Sequence, residues 1–451
     1  MNPQIFREYD IRGRVDEDLT PEVVEALGRG YATMMIREKG VPSPTIALGR
    51  DCRLSSDRLR DNLIQGLTAS NCRVLDIGVC PTPMLYYALF NLEVDGGLMI
   101  TGSHNPPEFN GFKVCVGRET IYGPHIRHLG EIMEKGDFVH GQGSVETVSI
   151  TSRYMETLKE GIHLARPVNV IVDAGNGTGG AIAAPLMESL GCLVECLFCE
   201  MDGHFPHHHP DPTIPDNMRF LIEKVTTTGA ELGIGYDGDA DRIGVVDDKG
   251  HIIWGDQLMI LFSRAVLAEH PGATIVSEVK CSMNLFKDIE NHGGRAIMWK
   301  AGHSLIKKKM REEKALLGGE MSGHIFFADR YFGYDDAIYA SLRLLELVSN
   351  DSRTISEMLS DVPQTFSTPE IRMDCPDEKK FDVVAAIRDD FIQNGYNLVD
   401  VDGVRVIFED GWGLVRPSNT QPVIVLRFEA TTESRLAEIR KLIEDKLNTY
   451  L

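Results

Sequence analysis

The 451 residues predict three consecutive α/β domains with mixed, largely parallel sheets, followed by a smaller C-terminal α+β domain. Three observations carry that fold class. The chain is too long for one ordinary core. One strand–loop–helix plan occurs three times along it, and the texture of the sequence changes after Pro369.

The plan appears first in TIALGRDCRLSSDRLRDNLIQGL (45–67), then in VNVIVDAGNGTGGAIAAPLMESLG (168–191), and last in ATIVSEVKCSMNLFKDIENHG (273–293). Each time a short β-branched run meets a polar or glycine loop, and apolar residues at helical spacing follow, as at the start of a βα unit. Such units favour parallel sheets covered by helices on both faces. The boundaries read as 1–150, 151–250 and 251–365, with the last domain over 366–451. There FDVVAAIRDDFIQNG predicts a helix. NLVDVDGVRVIFEDGWGLVRPSN and PVIVLRFEA predict a meander of strands on Asp-Gly and glycine-rich turns, and SRLAEIRKLIEDKL a closing helix.

With 46 basic against 67 acidic side chains the net charge is −21, so neither nucleic acid nor a membrane surface is an expected partner. A phosphorylated substrate stays open, because a small basic pocket fits within an acidic protein. The opening MNPQIFREYDIRGR has no apolar stretch, so neither signal peptide nor anchor is expected, and LMILF (258–262) is too short to span a bilayer. Nine cysteines without a secretion signal predict reduced thiols in the cytoplasm.

Four loops hold candidate chemistry. TGSHNPPEFNGFK (101–113) sets Ser103 beside His104 on a turn and ends on Lys113; the alternative is a Ser/Asn/Pro turn that only caps secondary structure. The lipase pattern G-x-S-x-G fails at Asn105. GYDGDADRIG (235–244) crowds Asp237, Asp239 and Asp241, which repel unless a cation joins them; oxygen ligands of this kind suit Mg²⁺ or Ca²⁺. An EF-hand loop fits poorly, since Arg242 and Asp248 stand at its glycine and glutamate positions. An aspartyl-nucleophile phosphatase loop and a solvated acidic turn remain as rivals. In LLGGEMSGHIFF (316–327), Glu320, Ser322 and His324 alternate and share a face on an extended segment, where they could bind adjacent hydroxyls. RPSNTQP (416–422) offers Arg416, Ser418, Asn419 and Thr420 as a phosphate cradle or a plain polar turn.

Together these loops resemble, in order and one per domain, the four active-site loops of the α-D-phosphohexomutases. FREYDIRG (6–13), GRDCRLSS (49–56), HHPDPT (208–213) and AGHSLIK (301–307) are also similar to segments of that family, and GEMSGHIFF looks most like its bacterial-type phosphomannomutase/phosphoglucomutase branch. The resemblance implies four domains around a central cleft. It implies that Ser103 is carried as a phosphoserine that donates to a hexose monophosphate, giving a hexose 1,6-bisphosphate that reorients and returns its other phosphate. Mg²⁺ would be held by Ser103, Asp237, Asp239 and Asp241, with Arg242 beside it. His104, Lys113 and His324 are candidates for moving the proton or holding the phosphoryl group, with their roles undivided. Glu320 and Ser322 would grip the sugar, and Arg416, Ser418, Asn419 and Thr420 the other phosphate. Tyr9, Arg12, Lys280 and His303 match segments lining the family's cleft. Hexose phosphates are the implied partners; mannose, glucose or glucosamine preference stays open, as does monomer against weak dimer.

Competing signals lose weight beside this set. GNGTGG (175–180) with Glu195 fits a dinucleotide fingerprint, hence an oxidoreductase, but also reads as a tight βα turn. CLVECLFC (192–199) has the spacing of some iron–sulfur sites and reads better as a strand of buried cysteines. HFPHHHP (204–210) reads as an interdomain loop. A metal-dependent phosphosugar hydrolase acting through Asp237, a phosphoglucosamine mutase and a non-catalytic sugar-phosphate sensor complete the alternatives.

Overall fold

The computed structural model describes residues 1–418 and 422–451. Four sheets organise it, and the first three share one topology. The central strands Thr45–Arg50, Asn169–Asp173 and Thr274–Glu278 are those of the three repeats read from the sequence, and each lies between two parallel neighbours. The neighbours are Arg73–Val79 and Gly96–Ile100, Leu193–Leu197 and Leu232–Tyr236, and Arg295–Trp299 and Leu317–Gly319. In every case the last-named strand turns back into an antiparallel partner: Phe109–Val116, Ile243–Val246 or Ile325–Phe327. The helices after the central strands, Ser56–Thr68, Gly180–Ser189 and Met283–Asn291, fall where apolar spacing placed them.

The fourth sheet is antiparallel throughout, with Val423–Ala430 and Gly411–Pro417 as its central hairpin. Helices Asp377–Gln393 and Glu433–Leu447 bury Ile387, Phe391, Ile439 and Ile443 against Val404, Val415 and Ile424, giving this unit its own core. One apolar cluster instead runs through the first three units, from Ala47 and Leu85 past Val170 and Ile234 to Phe327 and Leu342. The fourth unit docks on the third through Trp412 and Leu414 against Val279. Above Trp412 lies the Arg405 guanidinium, 3.6 Å from the ring centroid, which donates to the carbonyls of Val279 and Cys281. Removing a tryptophan and a guanidinium from water makes this a specific joint rather than a slack linker.

The competing motifs are absorbed by the fold. GNGTGG is a tight turn in which Asn176 takes φ +63°, and Thr178 donates its backbone N–H to Gly238 at 3.0 Å, bracing the aspartate loop. CLVECLFC does contain a strand, Leu193–Leu197, but the expectation of buried cysteines needs correction: Cys192 is buried and Cys196 exposed. In HFPHHHP, His207 stacks on Phe198 at 4.0 Å and His208 bonds Asp173 at 3.1 Å. Phe205 of the segment lies under the Arg53 guanidinium, 5.2 Å from the ring centroid, so the segment touches the first unit. Among the described residues, no helix is long and apolar enough to cross a membrane.

Candidate active site

The repeated topology places the first three candidate loops at the same point, the tip of an antiparallel hairpin, and the fourth leaves Gly411–Pro417, which pairs antiparallel with Val423–Ala430. The loops meet at a cleft of about 830 Å³, lined by His104, Arg242, Glu320 to Ser322, His324, Arg416 and Ser418.

Ser103, next in the chain to the cleft-lining His104, is 3% exposed, with φ +48°. A left-handed serine is strained and must be held. Arg53 holds it. Its buried guanidinium donates to the carbonyls of Ser103, Asn105, Pro106 and Phe109 at 2.5 to 3.0 Å. Asp51 completes the brace by accepting from Gly102 N–H, while a side chain on Gly102 would strike the Arg53 guanidinium. The Ser103 hydroxyl donates to Asp237 at 2.7 Å and lies 3.2 Å from His104 Nδ1.

The aspartate loop closes on itself: Asp237 accepts the backbone N–H groups of Asp241 and Arg242 at 3.1 and 3.0 Å. All three carboxylates are buried, with ligand oxygens within 4.8 Å of one another. Asp239 Oδ1 and Asp241 Oδ1 are buried without a hydrogen-bond partner. Two orphaned carboxylate oxygens within one buried trio fit a divalent cation. Burial, then Asp239 and Asp241, push the Asp237 carboxyl well above the ordinary range. Burial alone would also raise Asp239, but Lys113 and the Thr82 hydroxyl hold it low.

Lys113 is buried with the aspartates, bonded to Asp241 and 3.5 Å from Asp239, rather than facing the cleft. Burial would lower its ammonium; the two carboxylates raise it well above its usual value. Burial, then Arg242 and Arg12, pushes His104 well below the usual imidazole value.

His324 has both ring nitrogens engaged. Arg242 Nε donates to its Nε2 at 3.0 Å, so Nδ1 carries the hydrogen and faces the Asp241 carbonyl and the Asp335 carboxylate, each at 3.1 Å. The arrangement aims Arg242 into the cleft. Glu320, Ser322 and His324 lie on a turn with Gly323 at φ +92°, not on an extended segment; the turn nonetheless directs all three to the cleft. Glu320 accepts from Gly302 N–H at 2.8 Å and from Ser322 at 3.2 Å.

Tyr9 and His303 line the same cleft, with the Tyr9 hydroxyl donating to the Ala301 carbonyl at 2.9 Å. Arg12, on the strand Ile11–Arg14, donates to Asn105 of the serine loop at 3.0 Å and to Asp10 at 2.6 Å. Lys280 bonds Glu370 at 2.8 Å, tying the third unit to the fourth, and Arg416 bonds Asp402 at 3.0 Å. Asn419 and Thr420 lie outside the described residues.

Sequence reasoning missed several neighbours. Arg53 lies within GRDCRLSS, where nothing local marks it. Arg372 and Arg427 also line the cleft, and Arg427 has Nε and Nη1 buried and unpartnered. Its signal was an arginine within the wholly buried strand VIVLRFEA. Counting Arg242, Lys280, Arg372, Arg416 and Arg427 against Asp211, Glu320 and Glu370, the lining is net positive in a chain of charge −21. Field of that sign in a recess attracts anions.

Comparison with known proteins matches this geometry. Residues 3–140, 152–250 and 254–366 match Phosphoglucomutase/phosphomannomutase alpha/beta/alpha domains I, II and III, and residues 370–446 match its C-terminal domain. The chain is 49% identical to the phosphomannomutase/phosphoglucomutase of Pseudomonas aeruginosa over 443 residues, 98% of this chain and 95% of that protein. It is 46% identical to a phosphoglucomutase of Neisseria gonorrhoeae over 97% of this chain and 95% of the relative. A crystal structure of a phosphoglucomutase/phosphomannomutase family protein from Burkholderia thailandensis superposes with a TM-score of 0.94 at 40% identity, covering 100% of this chain and 98% of that one. The four candidate loops thus stand one in each matched domain, and the chain belongs to the phosphoglucomutase/phosphomannomutase family of phosphohexomutases.

Proposed function

We propose that the chain interconverts hexose 1-phosphate and hexose 6-phosphate, of mannose, glucose or both, through phospho-Ser103 and a hexose 1,6-bisphosphate. The observation that carries this is the position of the Ser103 hydroxyl, 2.7 Å from Asp237 of a buried carboxylate trio and 3.2 Å from His104, which lines a net-positive cleft. The division of labour follows the units 1–150, 151–250, 251–365 and 366–451, each giving one loop.

In the first transfer, the bond from phosphorus to Ser103 Oγ breaks as one forms to the substrate hydroxyl, whose proton leaves to a nearby base. His104, 3.2 Å from the serine oxygen, is placed to accept or return that proton. Arg242, steadied by His324, faces the transferring oxygens, and Lys113 neutralises the aspartates from within. Mg²⁺ held by Asp237, Asp239, Asp241 and the phosphoserine would supply charge neutralisation of the phosphoryl group. Glu320 and Ser322 grip sugar hydroxyls, with Tyr9, His303 and Arg12 shaping that wall. Lys280, Arg416 and Ser418, joined by Asn419 and Thr420 of the same loop and by Arg427, hold the phosphate that is not reacting. Because donors lie at both ends, the bisphosphate can bind in either direction and return its second phosphate to Ser103. One chain supplies the whole cleft, which fits a monomer or weak dimer, and the reduced cysteines fit the cytoplasm.

Incubation with ³²P-labelled glucose 1,6-bisphosphate, followed by peptide mapping, tests the assignment. Label on Ser103, absent from Ser103→Ala, is expected. Label on Asp237 with release of free phosphate would instead make the chain a phosphosugar hydrolase.

A further inference from the structure

A second cavity, of about 200 Å³, lies in the seam between the first and third units. One wall is a single face of helix His303–Glu313, presenting Ser304, Lys307, Lys308 and Arg311 at helical spacing. The opposite wall comes from the first unit and carries Lys39, Arg118, Thr120 and Tyr122. Five cations therefore line it, from both sides. Of its two carboxylates, Glu119 is committed to Arg311 at 2.9 Å and Glu38 to His128 at 2.6 Å.

The floor is built rather than open. Lys307 is 8% exposed and bonds Thr120 at 3.3 Å. Ser304 is 4% exposed, and its hydroxyl has no hydrogen-bond partner. At the rim, Lys308 reaches only the Tyr122 hydroxyl at 3.3 Å and Arg118 only the face of Phe90 at 4.8 Å. Among the described residues, neither has a carboxylate within ion-pair distance. Like charges facing one another across a recess, over a buried hydroxyl donor with nothing to bond, are relieved by an anion.

We propose that this seam is a second anion site, taking a small phosphate monoester. The tetrahedral dianion suits donors that approach from a floor and from two rims, and 200 Å³ against 830 Å³ admits a ligand well below the size of a hexose bisphosphate. An occupant here is linked to the reaction centre by a short path. Lys307 bonds Asp335 at 2.9 Å, Asp335 faces His324 at 3.1 Å, and His324 receives Arg242 at 3.0 Å. An anion that draws on Lys307 weakens its hold on Asp335 and so the fixing of Arg242.

Equilibrium dialysis of the full chain with radiolabelled glycerol 3-phosphate tests this. Wild type should bind at two sites. Arg416→Ala should weaken one of them. The double variant Arg118→Glu/Lys308→Glu, confined to the exposed rim, should weaken the other by about tenfold or more. Ser304→Ala, a small change that leaves the helix intact, should weaken that same site several-fold. In steady-state assays, inhibition by glycerol 3-phosphate that persists at saturating substrate should vanish in the double variant, with basal turnover retained. A single site, weakened by Arg416→Ala and unchanged in the rim and Ser304 variants, would overturn the proposal.

Discussion

Arg53 places donors on four carbonyls of the serine loop from a position closed to solvent. Arg53→Met keeps bulk while orphaning those carbonyls, at about 1–3 kcal/mol for each buried acceptor left unsatisfied. It should lower kcat by at least about tenfold and depress the Tm, measured by steady-state assay and thermal melting. A change in KM alone would assign Arg53 to binding instead. The contrast with Ser103 explains what could be read at this scale. A serine beside a histidine, or three aspartates alternating with small residues, announces chemistry because few other uses suit such clusters. Arg53 and Asp335 act through partners distant in the chain, Arg427 lines a cleft that several units assemble, and their residue types are common, so only the fold reveals them.

At the scale of elements, the hairpin tip is the functional unit, and glycines let tips touch. A Cβ on Gly238 would stand 2.5 Å from the Ser103 carbonyl. Gly238→Ala should push the serine and aspartate loops apart and cut kcat/KM by about a hundredfold with little loss of secondary structure, the scale expected of an ångström-sized misplacement. Unchanged turnover would show that the loops have slack. A helix cap gives a second prediction. Asp336 caps helix Ala337–Asn350 and accepts from Tyr331 and Tyr154, yet burial pushes its carboxyl up to about 6. The folded chain thus holds a proton there that the unfolded chain releases between roughly pH 4 and 6, and stability falls as pH rises through that window, by about 3 kcal/mol in all. Asp336→Asn keeps the cap and removes the titration. Its Tm, relative to wild type, should therefore rise between pH 4 and 7; a constant difference would contradict the assignment. The strand–loop–helix repeats were legible because β-branched runs and 3.6-residue spacing are local. The turn at Glu320–His324 was not, because alternation alone does not distinguish a strand from a turn that Gly323 completes at φ +92°.

For the whole molecule, three units share one apolar cluster while the fourth has its own and is tied on by Lys280–Glu370, Arg405 and Trp412. Such a division favours movement of the fourth unit over the cleft. Glu370 is drawn down to about 2, chiefly by Lys280, so the tie stays ionised across neutral pH. Lys280→Ala should loosen closure and raise KM about tenfold. Small-angle scattering should show wild type contracting on adding glucose 1,6-bisphosphate; equal profiles with and without it would exclude closure. The antiparallel texture after Pro369 made the fourth unit visible in the sequence, whereas its docking through Trp412 depended on a partner surface far along the chain. The central claim is that phosphate moves through Ser103. Phosphorus NMR of wild type and Ser103→Ala, each with Mg²⁺, a trace of hexose 1,6-bisphosphate and either mannose 1-phosphate or glucose 1-phosphate, tests it most directly. Conversion to the 6-phosphates by wild type, with near-total loss in the variant, is the expected result, and the two rates give the sugar preference. Equal conversion by both proteins, or free phosphate from both, would contradict it.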